Sequence, residues 1–448
     1  MPKVGIIGGG IAGLTAAYEL AKNGFQVVVV EQDERLGGQA GTFQLGDALL
    51  EKFYHHIFSS DVHIRALIDE LGLSSKLRWL ESRTGVFHGG KIHPFVSPLD
   101  LLRFEPLSLV DRTRLGLMYL RLQKFKDWQK LEQITAKEWV IRHGSQQIYD
   151  VLWGPLLRGK FAEAADEVSM TWLWGKIHLR GSSRSTDMTK EILGYLDGSF
   201  QVIIDALARE IRDKGGEIWT GAKARRVLVD GGRVRGIELD TTRGQAGQMT
   251  KILDTIPCDS VIATIPSHRF LKVVPELPED YAEKLRQVRY QVAVCVILEL
   301  FRSLSNIYWL NISDESCPFV GVIEHTNLVS PREYGDDRIV YVTNYVSPSD
   351  PLLGLSADEL VRTYLPHLRK INASFDESWI KGYRVYRDES GQPIVGTGYS
   401  AGIPSYETPI SGLYLANTTQ IYPEDRGTNY SVRLGQTISQ IVRAAYGA

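Results

Sequence analysis

The first forty-two residues limit what this chain can fold into more than any other stretch. They hold Val4-Gly5-Ile6-Ile7-Gly8-Gly9-Gly10-Ile11-Ala12-Gly13, a helical run, then Phe25-Gln26-Val27-Val28-Val29-Val30-Glu31-Gln32, then Arg35-Leu36-Gly37-Gly38-Gln39-Ala40-Gly41-Thr42. Val4 to Ile7 is an apolar run that stops at glycine, as a buried parallel strand does. Gly8 allows a tight turn, Gly10 leaves the backbone bare for a pyrophosphate, and Gly13 lets a helix pack closely on the strand. Ile11 and Ala12 open a helix to about Asn23, whose free N–H groups and dipole favour negative charge. Leu14, Ala17, Leu20 and Ala21 form its apolar stripe, and Gly24 is the expected cap. Phe25 to Val30 reads as a central strand. Glu31 ends it, eighteen residues after Gly13. A carboxylate there accepts from both ribose hydroxyls of an adenosine and repels a 2′-phosphate, so NADP is disfavoured. A lone GxGxxG is weak evidence; this one has the strand, helix, second strand and acid at the right spacing. The motif by itself leaves NAD and FAD both open.

At 448 residues the chain is long enough for two or three domains and a large core. Lys plus Arg is 51 and Asp plus Glu is 53, which gives no electrostatic case for a nucleic-acid partner. Three widely spaced cysteines, Cys258, Cys295 and Cys317, argue against a disulfide framework or metal cluster and for a reducing, cytoplasmic compartment. No stretch reaches the ~20 apolar residues of a membrane span. The apolar N-terminus reads as fold rather than signal sequence. The chain has no second GxGxxG, so one dinucleotide site is expected.

The residues after Glu31 extend the motif. An acid, an arginine (Arg35), a Gly-Gly pair (Gly37-Gly38) and a hydroxyl residue (Thr42) resemble the FAD-dependent amine oxidase, protoporphyrinogen oxidase and phytoene desaturase superfamily. The resemblance implies FAD and an α/β (α+β overall) architecture. That is a Rossmann-like FAD-binding domain of the glutathione-reductase type, interleaved with a mixed-sheet substrate domain and a helical cap. The implied boundaries are 1–70, 196–270 and 391–448 for the FAD domain, 71–96 and 271–390 for the substrate domain, and 97–195 for the cap. It also implies roles. Gly8, Gly10, Ile11, Ala12 and Gly13 face the pyrophosphate, and Glu31 and Gln32 the adenosine. Arg35, Gly37, Gly38, Gln39 and Thr42 run along the pyrophosphate and flavin. Many relatives have arginine after the Gly-Gly pair, where this chain has Gln39.

The stretch 198–240 reads as a return to that domain: a helix closed by Gly215-Gly216, a strand Glu217 to Trp219, and a hairpin turning at Asp230-Gly231-Gly232. By resemblance, the backbone of Ala224 or Val227 brackets the adenine. Pro257 to Pro266 matches the strand where the chain leaves the domain. Near the C-terminus, Gly412-Leu-Tyr-Leu-Ala416 is followed by Asn417 where the family has Gly-Asp. Asn417 still donates and accepts hydrogen bonds, so it is a candidate for the ribityl or phosphate groups. Gly427, Thr428, Asn429 and Tyr430 lead into a last helix expected from about Val432, with Thr428 or Ser431 as N-cap. Its dipole would favour charge on the flavin by roughly 0.3–2 kcal/mol.

On the substrate side, His56-Ile57-Phe58 resembles a phrase of UDP-galactopyranose mutase that lies beside the flavin. Either His55 or His56 faces the flavin or substrate, or they bond the backbone of a loop. His56 and Tyr430 are the catalytic candidates, with Tyr422 a second aromatic wall. Residues 97 to 195 read as mostly helical. Arg112, Arg114, Arg121, Lys124 and Lys126 alternate there with Leu115, Leu117, Met118 and Leu120. Such a helix is either a solvated face, the more heavily weighted reading, or a peripheral contact with anionic lipid. Trp153, Arg158, Trp172, Trp174, Arg180 and Arg184 either line the path of an anionic or flat substrate or are helix ends and core, and the second reading weighs more. Strands of an antiparallel sheet are expected at Val292–Leu300, Phe319–Glu324 and Arg338–Val346. Many amine oxidases carry a lysine in the strand matching Tyr290 to Leu300, and this chain has none there.

The resemblance implies hydride abstraction from a large apolar or flat substrate such as a carotenoid or porphyrinogen, with oxygen or a quinone as electron acceptor. Three readings stay open beside it: a non-redox flavoenzyme of the UDP-galactopyranose mutase type, an amine oxidase, and a non-enzymatic relative such as the Rab escort proteins. The oligomeric state is not readable.

Overall fold

The computed structural model describes residues 2–182, 190–243 and 250–447. Strand β1 (Lys3–Ile7), helix α1 (Ile11–Lys22) and strand β2 (Gln26–Val30) form the opening unit. β1 and β2 pair in parallel, Val4 opposite Val27 and Ile7 opposite Val30. Two strands from the far half of the chain extend the sheet, Ser260–Ala263 beside β1 and Leu413–Leu415 beyond it, and Glu217–Trp219 closes the other edge. Valines and isoleucines fill these strands because both faces are covered.

α1 buries Leu14, Ala17, Leu20 and Ala21. It packs between helix Gln201–Asp213 and the C-terminal helix Thr428–Ala445. The contact with the C-terminal helix is at backbone distance. A Cβ on Gly435 would sit 2.6 Å from the Ala12 carbonyl oxygen and 2.7 Å from Thr15 Cβ. The start of the chain is thus clamped against its end.

The hairpin Ala222–Asp230 and Arg233–Arg243 turns at Gly231-Gly232, both at positive φ, 57° and 73°. A third strand, Thr250–Pro257, which the sequence reading missed, pairs with it. A seven-stranded mixed sheet runs in the order Ile380–Pro393, Tyr290–Leu300, Arg338–Val346, Gly321–Glu324, Trp309–Ile312, Thr84–His88, Lys91–Pro94. Within this sheet, Trp309–Ile312 and Thr84–His88 pair in parallel and the other neighbouring strands antiparallel.

Helices Pro98–Leu102, Leu109–Lys124 and Ala136–His143 start at Ser97, Ser108 and Thr135, whose side chains accept from the N–H three residues on. With Gly154–Phe161 and Met170–Ser182 they enclose a core of their own, including Phe104, Met118, Trp139, Phe161 and Trp172. The helical stretch ends before the expected 195. Glu191–Leu196 is a strand paired with Leu77–Ser82: Ile192 and Tyr195 are β-prone, and Leu193, Tyr195 and Leu196 are buried. Arg184 lies outside the described residues. No helix among the described residues is long and apolar enough to cross a membrane.

Gly435→Val tests the clamp. Its side chain must push the C-terminal helix off α1, and we expect a loss of about 1–3 kcal/mol in urea unfolding. An unchanged midpoint would show that the two helices are not at backbone distance.

Candidate active site

The glycine turn after β1 has the geometry a pyrophosphate requires. Gly8 has φ of 110°, and a Cβ on Gly13 would lie 2.0 Å from the Gly8 carbonyl oxygen. The Arg35–Gly38 turn lies directly beside it. Gly37 N–H donates to the Gly9 carbonyl at 2.9 Å, and Gly37 and Gly38 both take positive φ. A Cβ on Gly10 would meet only Gly38 Cα at 3.9 Å and the Gly37 carbonyl at 4.0 Å. Gly38 backbone is exposed, and Gly8 and Gly10 are partly so. The two bare turns face one gap, at the N-terminus of α1.

Glu31 borders that gap, largely buried. Gly9 N–H donates to Oε2 at 2.7 Å and Asp33 N–H to Oε1 at 2.9 Å. Each oxygen keeps a second lone pair for a ribose hydroxyl. Burial raises its pKa, and the two N–H groups oppose the rise. Ala222 N–H donates to the Glu31 carbonyl at 2.8 Å, so the strand that carries Ala224 starts beside Glu31. Val227 is instead fully buried in the cluster with Ile7, Val28 and Ile237. Gln32 and Arg35 are exposed. Thr42 is buried and donates to Gln201 Oε1 at 2.7 Å, so its hydroxyl is used inside the protein.

Two C-terminal expectations need correction. Asn417 is buried, with its amide donating to the Ile265 carbonyl and Ser267 Oγ and its oxygen accepting from Thr419 N–H and Oγ. It caps the short turn Thr418–Gln420, because a neutral amide satisfies donors and acceptors that an aspartate would not. The last helix starts earlier than Val432, at Thr428, and neither Thr428 nor Ser431 is its N-cap. Gly427 is, without a side-chain bond. Asn429 spends its oxygen on the N–H groups of His63 and Ile64, at the start of helix Val62–Glu70. Gly427 and Thr428 line the neighbouring cavity at this helix start, where backbone N–H groups would suit a flavin carbonyl edge.

Next to Gln39 and Gly427 a cavity of about 770 Å3 opens, lined mainly by apolar and aromatic side chains. His55, His56 and Tyr430 all line it. His56 Nδ1 lies 3.1 Å from Tyr308 OH, its ring edge-on to Phe58 and Trp309. His55 Nδ1–H donates to the Phe53 carbonyl at 2.6 Å, and burial lowers its pKa to about 4, so the ring is neutral. Tyr422 is not in the lining and packs on Trp128 and Tyr399.

The polar part of the cavity was not foreseen. Asp425 is 3% exposed, with Lys160 Nζ at 3.3 Å and Lys176 Nζ at 2.6 Å. Burial would raise its pKa, but Lys160, Lys176 and Arg426 hold it far below the carboxylate range. Arg426 donates to Gln392 Oε1, to Gln39 Oε1 and, at 2.8 Å, to Tyr345 OH. Burial pushes the Tyr345 phenol up, but Arg426 and Lys160 outweigh it, and the net shift is downward. The only signal in the sequence was Asp425-Arg426-Gly427, an acid–base pair ahead of a helix.

The family model described as flavin containing amine oxidoreductase matches residues 11–423. The chain belongs to the flavin containing amine oxidoreductase family. Like this flavoprotein in sequence is coproporphyrinogen III oxidase of Mycobacterium tuberculosis, 24% identical over 92% of both chains. Zeta-carotene desaturase of Solanum lycopersicum is 23% identical over 93% of this chain and 76% of that one. In fold, reduced UDP-galactopyranose mutase superposes with a TM-score of 0.74 at 16% identity, covering 100% of this chain and 96% of that one. The protein is a flavin-dependent oxidoreductase with FAD as cofactor, and the two glycine turns and Glu31 fit that group.

Gly10→Val places a side chain in the gap between the turns. Gly10 has φ of −77°, which valine tolerates, so the variant tests space rather than strain. We expect a folded, colourless protein that takes up added FAD roughly 10- to 100-fold more weakly. Normal uptake would move the phosphates elsewhere.

Proposed function

We propose that this flavoenzyme removes hydride from a large apolar or flat organic molecule, such as a porphyrinogen or a carotenoid-like polyene. The observation that carries the proposal is the cavity. Its volume suits a large ligand. Tyr54, His56, Phe58, Trp153 and Trp309 line it, and it adjoins Gln39, the residue after the Gly-Gly turn. The names of the two sequence relatives, one a porphyrinogen oxidase and one a carotene desaturase, support the same reading.

Bound FAD supplies the two-electron acceptor for such a step, with oxygen or a quinone taking the electrons afterwards. The chain's own residues orient and shield. Strand Tyr290–Leu300 presents Ala293 to the cavity and holds no lysine, whereas many amine oxidases carry one in the matching strand. Neutral His55 and the edge-on ring of His56 form part of the cavity wall.

The same reading includes a peripheral membrane contact. Leu99, Leu102, Leu109, Val110, Leu117 and Leu120 are exposed on helices Pro98–Leu102 and Leu109–Lys124. Arg103, Arg112, Arg114, Arg121 and Lys124 accompany them. Leu101, Leu102, Leu117 and Leu120 also line the cavity, so an apolar substrate would enter from the lipid side.

Two measurements check this. Anaerobic mixing of the FAD-loaded protein with a reduced porphyrinogen or a polyene should bleach the flavin bands. Turnover of a UDP-sugar by the reduced protein, with no bleaching by either substrate, would replace the redox reading with the mutase type. The parent should also co-sediment with vesicles rich in phosphatidylglycerol. Leu109→Glu with Val110→Glu, at positions 72% and 60% exposed, should weaken that binding at least roughly 10-fold. Equal sedimentation would assign the helices to solvent.

A further inference from the structure

We propose that Tyr345 is the proton acceptor of this reaction, its phenolate taking the proton that must leave the substrate once hydride has gone. This rests on the hydride-removal reading above. Hydride carries both electrons of one C–H bond to bound FAD, the two-electron acceptor, and leaves the substrate short of an electron pair. A neighbouring N–H or C–H bond then breaks. Its proton goes to the Tyr345 oxygen, and its electron pair closes the new double bond. The phenol releases that proton to water before the next turnover.

A fixed donor faces the Tyr345 oxygen. Arg426 Nη2 donates to it at 2.8 Å. A guanidinium has no acceptor, so the phenol's own proton points elsewhere. Arg426 is held by Gln392 Oε1 at 3.2 Å and Gln39 Oε1 at 3.1 Å. Lys160 Nζ lies over the phenol ring, 4.8 Å from its centre. Tyr345, Tyr54, Lys160 and Arg426 all line the cavity. Tyr345 lies opposite Ala293 in the sheet, and Gln39 directly follows the Gly37-Gly38 turn. One cationic donor thus ties the phenol to the turn that fits the cofactor.

The surroundings favour the charged form of this phenol. Arg426 and Lys160 stabilise it, and the Tyr54 hydroxyl hydrogen-bonds to the same oxygen. Burial and Asp425 oppose them. Asp425 is itself paired with Lys160 and Lys176. Asp388, on the edge strand, acts on Arg426, and His55 is neutral. Cys295, on the adjoining strand, stays a thiol because burial raises its pKa. The net effect on Tyr345 is downward, toward the working pH that suits a general base. The base form is present above that pKa and lost below it, so the rate should rise with pH.

The test uses the FAD-loaded protein with tyrosine isotope-labelled at Cζ. In NMR one tyrosine should ionise at lower pH than the others, and its signal should be absent from Tyr345→Phe. In anaerobic stopped flow, with whichever of a reduced porphyrinogen and a polyene bleaches the flavin, the parent's rate should rise through that same pKa. Tyr345→Phe keeps the ring, and it should slow bleaching roughly 100- to 10,000-fold and lose the rising limb. No early-ionising tyrosine, a parental profile in Tyr345→Phe, or slowing with the pH profile unchanged would overturn the proposal alone. A limb kept in Tyr345→Phe and lost in His56→Gln would give the proton to His56. No bleaching of the parent by either substrate at any pH would sink the hydride-removal reading and this one with it.

Discussion

The approach of α1 to β1 is the contact on which the other placements depend. With room for no Cβ on Gly13, where one would lie 2.0 Å from the Gly8 carbonyl oxygen, the helix lies against the strand and its N-terminus ends over the sheet's carboxyl edge. That edge is where ligands bind in open parallel sheets. The second glycine turn bonds to the first, and the C-terminal helix seats Gly435 on Ala12 and Thr15. Residues more than 400 apart in sequence therefore converge on one gap. A bulkier residue at any of these glycines would move the phosphate end and the flavin end together.

The second constraint is electrostatic. Asp425 belongs to the loop before the C-terminal helix, whereas Lys160 and Lys176 belong to the helices Gly154–Phe161 and Met170–Ser182. The helical core is separate from the core around α1, so apolar packing alone leaves their relation loosely determined. Buried ion pairs are poor stabilisers but good at fixing register, since breaking one strands a charge. Trp172 adds an indole hydrogen bond to the same carboxylate, and Gln392 ties in the sheet strand Ile380–Pro393. Three parts of the fold thus meet at one aspartate.

How much of this was legible depended on whether local chemistry decided the outcome. The opening unit was readable because glycine at Gly8 and Gly13 answers a backbone demand, and Glu31 sits at the end of an unbroken valine run. The hairpin at Gly231-Gly232 was readable for the same reason. Strand Ile380–Pro393 was not. It is an edge strand carrying Lys381, Arg384, Arg387, Asp388 and Glu389, and such charges read as loop. Asn417 was misjudged because a polar residue after an apolar strand gives no sign of whether it faces a ligand or locks its own loop. The Asp425 cluster was hidden for a deeper reason. Its members lie at 160, 176, 392 and 425, and no spacing rule joins positions that only the tertiary fold brings together.

That arrangement bears on how the cavity chooses what it holds. The sheet wall offers Ala293, while Lys160 and Lys176, the lysines paired with Asp425, come from the helical region. The cavity is therefore walled by parts of the fold that pack around separate cores. Its shape depends on how those cores sit against each other, and the Asp425 contacts fix that relation. A large ligand between them would be held in one pose, which is what hydride transfer to a flavin would demand of a substrate.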